Sequence, residues 1–406
     1  MTTPVTNIDA NRPGLAIIAP TQEPYRHALH RRIVTEIPEF KLHSVYTHAA
    51  GSANRARRDE ADINAVFFDT GETALERNKP AHQFRNYRRG KRIFRYLKDN
   101  NVKAAIILGY NDLGLLGLYK ACHNAGITTY LWTDSNIHTD RAEGVRRRIK
   151  KQIIQHVTSY TDVVFCCGSL GSAFFQSYGV PESMIRYSPY EPDYDLIKNL
   201  DESTIKLTRE RFKLNPERKR FIFCGRLVPN KRPDLAISSF IQVADDRPNW
   251  DLVVVGSGDT QHELEQSVPD RLKHRVLFTG FIDDQETVSS LYRLSDILVH
   301  PCVIEPWGLI INEAAAAGLA IITTSACGAG PELVDPGKNG FLIEPAASLP
   351  LTKAMLHISK PGTTETFKAE SQRVLKRWRG LADPVDTIRA ALIQSGLIGD
   401  NTIGAP

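Results

Sequence analysis

The sequence has few cysteines and no long apolar run. Six cysteines in 406 residues, with no Cys-x-x-Cys pair, do not form a disulfide scaffold, so we interpret them as reduced thiols of a cytoplasmic protein. No segment approaches the roughly 20 apolar residues that cross a bilayer. The polar first residues lack the apolar core of a secretory signal. Hydrophobic residues make up 42% and charged residues 24% of the chain, which excludes a disordered or collagen-like protein.

The charge is unevenly distributed along the chain. The net charge is +5. Residues 1–200 carry 27 Lys and Arg against 20 Asp and Glu, whereas the remaining residues carry 24 against 26. We therefore expect an anionic partner to bind the first half of the chain.

Short apolar runs alternate with amphipathic segments along most of the sequence. This alternation predicts parallel sheets covered by helices on both faces. The predicted strands form two series: 15–19, 42–46, 65–68, 104–108, 128–132 and 163–167, then 221–224, 252–255, 276–278, 297–300, 320–323 and 340–343. Each series has the size of one doubly wound domain, so the fold class is α/β with two Rossmann-like domains.

A Pro-rich segment separates the two series. Residues 188–195 read SPYEPDYD and show no clear periodicity, which predicts the hinge. The expected domains are residues 1–190 and residues 191–375, and a C-terminal helix at about 376–406 can pack back on the first domain. A cleft between two such sheets is the expected ligand site.

The segment from 297 to 345 holds the clearest chemical pattern. A predicted strand ends near His300, and a loop with Glu305 precedes a helix that Trp307 and Gly308 open. The start of a helix exposes unpaired N–H groups and suits a phosphate. Glu305 and Glu313 can accept hydrogen bonds from vicinal sugar hydroxyls, or can be an ordinary loop and helix residue.

A second pattern follows the strand at 221–224. Arg226 and Lys231 lie at its carboxyl end, where two cations can neutralise a diphosphate or simply be solvated. Gly256 and the turn at 279–281 follow two further strands, and glycine there allows a backbone to approach a ligand.

In this order these motifs resemble the retaining glycosyltransferase family 4, whose fold is GT-B. The elements are GR…K at 225–231, VGSGD at 255–259, FTGF at 278–281, the E-x7-E signature in EPWGLIINE, GPE at 330–332 and NGFL at 340–343. The resemblance covers roughly residues 190–375. It implies two domains facing across a cleft and a nucleotide-diphosphate sugar as donor, with no cofactor required and no metal site.

The resemblance also implies roles for individual residues. Arg226 and Lys231 are similar to the pair that binds the donor diphosphate. Glu305 is similar to the acid that holds the donor sugar, and Glu313 to the acid that holds the ribose. The remaining donor contacts implied are Gly256, Gly280, Phe281, Trp307, Gly308, and the backbone N–H groups of Leu309 and Ile310.

The first domain departs from the family pattern. The usual Gly-Gly loop after the first strand is replaced by PTQEPYR at 20–26, so Tyr25 and Arg26 are candidates for acceptor binding. Asp112 occupies the place of a catalytic side chain, or is the N-cap of the following helix. Asp134 and His138 follow another strand and are further acceptor candidates.

The segment from Arg85 to Lys98 contains seven basic residues and no acid. On a helical wheel Arg85, Arg88, Arg89, Arg92 and Arg95 share one face. Such a helix indicates an anionic membrane surface, or packs on a sheet with a solvated basic face. Nucleic acid is not expected, because no reading motif accompanies the charge.

The expected activity is therefore transfer of a sugar from a nucleotide-diphosphate sugar to a hydroxyl of a glycan or lipid-linked acceptor, with retention of configuration. This activity belongs to polysaccharide biosynthesis at the inner membrane face. Two alternatives stay open: a sugar-nucleotide epimerase or hydrolase of the same fold, and a non-catalytic sugar-nucleotide-binding protein.

Overall fold

A computed structural model describes residues 12–48, 62–69, 71, 73–74 and 79–399. Residues 1–11, in which the sequence indicates no secretory signal, lie outside the described residues. Residues 400–406, the end of the expected C-terminal helix, also lie outside them. Within the described part of the chain, no helix is both long enough and apolar enough to cross a bilayer.

The first half of the chain forms a sheet of seven parallel strands in the order β3-β2-β1-β4-β5-β6-β7. The strands are β1 (Gly14–Ala19), β2 (Lys41–Tyr46), β3 (Ala65–Phe67), β4 (Val102–Leu108), β5 (Thr128–Thr133), β6 (Val163–Cys166) and β7 (Ile185–Tyr187). The helices that cover it are α1 (Pro24–Glu36), α2 (Gln83–Asp99), α3 (Leu113–Asn124), α4 (Gly144–Thr158) and α5 (Ser169–Ser177).

The second half forms a sheet of six parallel strands in the order β10-β9-β8-β11-β12-β13. The strands are β8 (Lys219–Cys224), β9 (Trp250–Val255), β10 (Val276–Gly280), β11 (Ile297–His300), β12 (Ala320–Thr324) and β13 (Gly340–Ile343). Its helices are α6 (Tyr194–Lys198), α7 (Glu202–Arg211), α8 (Pro233–Val243), α9 (Gln261–Ser267), α10 (Gln285–Arg293), α11 (Leu309–Ala316), α12 (Gly330–Leu333) and α13 (Ser348–Ile358).

The prediction of two doubly wound parallel sheets is confirmed. The apolar runs that predicted the central strands are buried on both faces, as a parallel sheet between helix layers requires. In β4, for example, residues 104–107 have no exposed surface. The division into domains 1–190 and 191–375 stays a prediction, and the two sheets fall on either side of that boundary.

Two helices follow α13, and the second of them returns to the first half of the chain. They are α14 (Thr363–Ala382) and α15 (Pro384–Gln394). The Tyr130 hydroxyl on β5 donates to the carbonyl of Ala391 at 3.2 Å, and Thr387 donates to the carbonyl of Tyr187 at 2.8 Å. The second half thus reaches across the linker and anchors α15 against the first sheet.

Candidate active site

Lys231 and Glu305 form an ion pair beyond the carboxyl ends of β8 and β11. Lys231 ends a short 3₁₀ turn, Pro229–Lys231, after the turn at Gly225. Glu305 lies in the loop after β11, whose backbone is held by the Gly328 N–H, which donates to the Glu305 carbonyl at 3.0 Å. Because both strands end at the same edge of one sheet, residues 74 positions apart meet in space.

His300 adds a third group to this pair. Its Nε2 lies 3.5 Å from Oε2 of Glu305. Burial alone raises the pKa of Glu305, but His300 and Lys231 outweigh burial and hold that pKa at about 2. Burial alone lowers the pKa of His300, but Cys302 and Glu305 outweigh burial and raise that pKa to about 9. Glu305 is therefore an ionised hydrogen-bond acceptor at neutral pH.

The helix α11 begins beside this group. Gly308, its N-cap, has φ of 98°, in the left-handed region that favours glycine. A Cβ at this position would lie 2.9 Å from Sγ of Cys327 and 3.1 Å from Cγ of Glu305. The first N–H groups of a helix have no partner within the helix, so Leu309 and Ile310 can offer theirs to an anion.

These groups line one cavity of about 230 Å³. The second half of the chain contributes Lys231, His300, Glu305, Trp307, Gly308, Leu309 and Ile310, together with Cys224 and Gly225. The first half contributes Tyr25 and Asp134, and the linker contributes Tyr190. The cavity thus has a cationic side chain, a helix start and a carboxylate on one wall, and aromatic and acidic side chains on the other.

Glu313 lines an adjoining cavity of about 430 Å³, which shares Tyr25 and Leu309 with the first. Burial raises the pKa of Glu313 to about 7. Nε2 of Gln285 donates to Oε1 of Glu313 at 3.2 Å. The two predicted acids therefore stand in neighbouring cavities with opposite pKa shifts.

The glycine turns lie where the sequence places them. A Cβ on Gly256 would lie 2.0 Å from the carbonyl oxygen of Gly225, and the Gly256 N–H donates to the carbonyl of Gly280 at 3.0 Å. Gly280 has φ of 70°, and Phe281 is exposed beside it. Gly256 is therefore required for close strand packing, whatever else this turn contacts.

Arg226 does not join Lys231. Its side chain is exposed and is not among the residues that line either cavity. Within the described residues its guanidinium forms no ion pair or hydrogen bond. The turn after Gly225 leaves Arg226 on the surface, and the shared role of Arg226 and Lys231 in binding the donor diphosphate stays a prediction.

The first-half candidates separate into two groups. Tyr25 and Asp134 line the cavity. The carboxylate of Asp112 accepts the Leu115 N–H at 2.9 Å and caps α3, so its structural interpretation is met and its catalytic role stays a prediction. Arg26 donates to the carbonyl of Thr21 at 2.8 Å, and His138 is exposed on a short turn; neither lines the cavity.

Several residues at the site, including His300, Tyr190 and Asn136, were not predicted. His300 appeared in the sequence only as the end of a strand. The ring of Tyr190 packs at a tilt against those of Tyr25 and Trp132, with ring centroids 5.4 Å from each, and its carbonyl accepts from Nε1 of Trp307 at 2.9 Å. Asn136 donates from Nδ2 to the Glu305 carbonyl at 3.0 Å. The linker and the loop after β5 thus bind the loop that carries Glu305.

The chain is similar in sequence to a family model and to several known proteins. Residues 204–365 match the family model described as Glycosyl transferases group 1. The chain is 24% identical over 322 residues to mannosylfructose-phosphate synthase of Agrobacterium fabrum, covering 71% of this chain and 69% of that protein. It is 27% identical over 204 residues to a GDP-mannose-dependent alpha-(1-6)-phosphatidylinositol monomannoside mannosyltransferase of Mycobacterium tuberculosis, covering 48% and 52%. The chain thus spans about half the length of the latter relative.

The structure is similar to that of Anabaena HepE in complex with UDP. The TM-score is 0.72 at 18% sequence identity, and the likeness covers 95% of this chain and 100% of that one. Together with the two doubly wound sheets, this likeness confirms the predicted GT-B fold. The matched family model is one of glycosyl transferases, and the relatives include a mannosyltransferase.

Proposed function

We propose that this protein transfers a sugar from a nucleotide-diphosphate sugar to an acceptor hydroxyl with retention of configuration, as a family 4 enzyme. One observation carries the proposal. Lys231, Glu305 and the start of α11 share a single cavity with Tyr25 and Asp134 of the opposite domain. This arrangement supplies positive charge for a diphosphate, a carboxylate for sugar hydroxyls and a facing wall for an acceptor.

The donor fits the cavities in one orientation. The diphosphate lies against Lys231 and the N–H groups of Leu309 and Ile310, because all three are positively polarised. The sugar lies against Glu305, and the ribose lies in the adjoining cavity against Glu313. Gly256, Gly280 and Phe281 then border the base. Arg226 reaches the diphosphate only if its exposed side chain folds inward.

Donor binding gives Lys231 and Glu305 new partners. In the free protein Lys231 is neutralised by Glu305. When the donor enters, Lys231 turns to the diphosphate and Glu305 accepts hydrogen bonds from the sugar, so each charge keeps a partner. As the bond to the anomeric carbon breaks, Lys231 and α11 stabilise the leaving diphosphate. An oxygen of that diphosphate takes the proton of the incoming hydroxyl, and Lys231 supplies charge that a metal would otherwise supply.

The acceptor lies on the wall formed by Tyr25, Tyr190 and Asp134. Aromatic rings present a flat apolar face to a sugar ring, and a carboxylate accepts hydrogen bonds from its hydroxyls. This wall favours a glycan, or the sugar head of a lipid-linked glycan, as acceptor. A relative with a phosphatidylinositol mannoside substrate in its name supports the lipid-linked class. Arg26 and His138 stand outside the cavity and bind an acceptor only where it extends beyond it.

A panel of UDP-, GDP- and ADP-sugars tests this proposal. We expect one nucleotide class to raise the melting temperature, because a ligand that binds only the folded state stabilises it. With that donor and a panel of glycan and lipid-linked acceptors, a glycosylated product of retained configuration is expected. An isomerised donor formed without acceptor would identify an epimerase instead, and binding without turnover would identify a non-catalytic protein. No stabilisation by any sugar nucleotide would contradict the proposal.

A basic surface on α2 supports a peripheral membrane location at the inner face. Arg88, Arg92 and Arg95 are exposed, while the aromatic ring of Phe84 is 68% exposed beside them. Arg88 lies over that ring at 5.1 Å from its centroid. Exposed cations beside an exposed aromatic ring suit the headgroup region of an anionic bilayer.

One basic residue on this side of the helix is almost fully buried. Arg89 is 3% exposed and donates to the carbonyl of Phe68 at 3.2 Å and to Oδ1 of Asn86 at 2.9 Å. Arg89 thus lies on the same side of α2 as Arg88 and Arg92, as the helical wheel predicts, but contributes almost no exposed area. The reason is the close packing of α2 on α3, where a Cβ on Gly90 would lie 2.5 Å from the carbonyl oxygen of Gly114.

Replacing Arg88, Arg92 and Arg95 by glutamine is expected to weaken binding to phosphatidylserine-containing vesicles by roughly 100-fold, at about 1 kcal/mol per charge. Vesicle co-sedimentation measures the change. Replacing Lys206, Arg209 and Arg211 of α7 removes the same charge from the other domain and is the matched control. If both triple variants lost the same amount of vesicle binding, the loss would be due to net charge alone. That result would contradict a membrane surface on α2.

A further inference from the structure

Two thiols and an imidazole form a buried cluster behind the sugar cavity. Cys302 follows β11, Cys327 follows β12, and His300 ends β11. Within the described residues, these three side chains are the group whose potential ligand atoms all lie within 4.8 Å of one another. Neighbouring parallel strands bring them together at the same sheet edge that holds Glu305.

The polar contacts of the cluster leave its imidazole unsatisfied. His300 is 1% exposed, and in the described part of the chain neither of its ring nitrogens forms a hydrogen bond, although Nε2 has the ion-pair contact of 3.5 Å with Oε2 of Glu305. Sγ of Cys302 lies 3.3 Å from Oγ1 of Thr324, and Sγ of Cys327 lies 3.3 Å from the carbonyl oxygen of Trp307. A buried nitrogen without a partner is costly and points to a missing ligand.

The three groups match the preferences of a thiophilic cation. Zinc binds thiolate at about 2.3 Å and imidazole at about 2.0 Å in a tetrahedron, so its ligand atoms stand roughly 3.5 to 4 Å apart. The potential ligand atoms of the cluster lie within 4.8 Å of one another, which is slightly more than that spacing. We propose that His300, Cys302 and Cys327 bind Zn²⁺, with the fourth position open toward the cavity.

The open position couples the proposed site to donor binding. His300 lines the cavity, which gives the ion a path of entry. Oε2 of Glu305 is 3.5 Å from Nε2 of His300 and is the carboxylate placed to fill the fourth position. A bound ion would then hold Glu305 away from a sugar and inhibit transfer. This second step rests on the proposed function, whereas binding of the ion does not.

Cobalt spectroscopy on the full-length, reduced and metal-free protein tests the site. We expect one equivalent of Co²⁺ to produce thiolate charge-transfer bands and intense tetrahedral d–d bands, which Zn²⁺ then removes. Cys302→Ser and Cys327→Ser should each lose these bands. Cys122→Ser, which alters another fully buried thiol in the first domain, should keep them. Bands absent from the parent protein, or unchanged in both serine variants, would overturn the proposal.

X-ray absorption on the zinc-loaded parent protein keeps the test independent of variant folding. We expect two sulfur neighbours near 2.3 Å and nitrogen or oxygen neighbours near 2.0 Å. The site would be overturned if no sulfur atom were found among the nearest neighbours of zinc. It would also be overturned if Cys302 and Cys327 formed a disulfide that a reductant does not break.

Sugar-nucleotide binding, measured by thermal shift with and without Zn²⁺, separates the two steps. Weaker donor binding to the zinc-loaded protein supports the coupling through Glu305, and unchanged binding overturns that coupling. If no sugar nucleotide binds the metal-free protein, the proposed function fails, and the cobalt bands still decide whether the metal site exists.

Discussion

Replacing Lys231 by alanine is expected to lower kcat/KM by roughly 100- to 1,000-fold, the effect of removing one group that stabilises a developing negative charge. Lys231 lines the cavity at the start of α11, whereas Arg226 is not among its lining residues. The N–H groups of Leu309 and Ile310 remain, so some activity should survive. Steady-state kinetics with the donor identified by thermal shift measure the loss.

The matched control is Lys219→Ala. Lys219 also pairs with a glutamate, Glu365, but that pair is on the surface, so its loss is expected to leave kcat/KM within about twofold. Circular dichroism checks that both variants are folded, because removing Lys231 leaves Glu305 with His300 alone. A Lys231→Ala variant that is folded and fully active would contradict the assignment of the diphosphate site.

A free nucleoside diphosphate separates the roles of the two paired residues. It lacks the sugar that Glu305 is proposed to hold but keeps the phosphates assigned to Lys231. We therefore expect Lys231→Ala to weaken its binding and Glu305→Gln to leave binding unchanged or stronger, because Lys231 is released from the ion pair. If Glu305→Gln weakened binding of the nucleoside diphosphate and Lys231→Ala did not, the assignments of the diphosphate to Lys231 and of the sugar to Glu305 would have to be exchanged.

The fold could be predicted because parallel strands that are buried on both faces have continuous apolar sequences. The strand at 221–224, for example, extends only two residues further in the structure. The strand β7 was missed because it has three residues and exposes Arg186. The docking of α15 on β5 depends on contacts such as that of Tyr130 with Ala391, more than 250 positions apart, which no local pattern encodes.

The site could be predicted in part for the same reason. The strand-end rule places Lys231 and Glu305 at one sheet edge, and the structure pairs them. The position of Arg226 depends on how the turn after Gly225 directs each side chain, which the residue types alone do not determine. Asp112 fits both a catalytic acid and an N-cap by sequence, and the structure shows its carboxylate bound to the N–H of Leu115.

Replacing Glu313 by glutamine is expected to make the protein more stable at pH 8 and a weaker enzyme. Burial raises the pKa of Glu313 to about 7, above the value of about 4.3 in an unfolded chain. The native state therefore favours the protonated acid. The resulting penalty is absent below about pH 4, grows between the two pKa values and is complete above pH 7. Glutamine removes it.

The gain in the free energy of unfolding should be about 2 kcal/mol at pH 8 and small at pH 5. The pKa difference alone corresponds to roughly 4 kcal/mol at 1.36 kcal/mol per unit, and water in the adjoining cavity screens part of it. Urea unfolding at the two pH values measures the gain. Glu286→Gln, on the exposed face of α10, removes the same charge and should change stability by less than about 0.5 kcal/mol at either pH.

The loss of activity should follow the same dependence on pH as the gain in stability, although the two effects have opposite signs. Ribose hydroxyls donate to the ionised carboxylate, and such charged hydrogen bonds contribute roughly 1.5 to 3 kcal/mol, so kcat/KM should fall about 10- to 100-fold at pH 8. At pH 5 the parent acid is itself protonated and resembles glutamine, so the two proteins should differ little. A variant that loses stability at pH 8, or whose activity deficit is the same at pH 5 and pH 8, would show that Glu313 is not a buried acid kept available for a ligand.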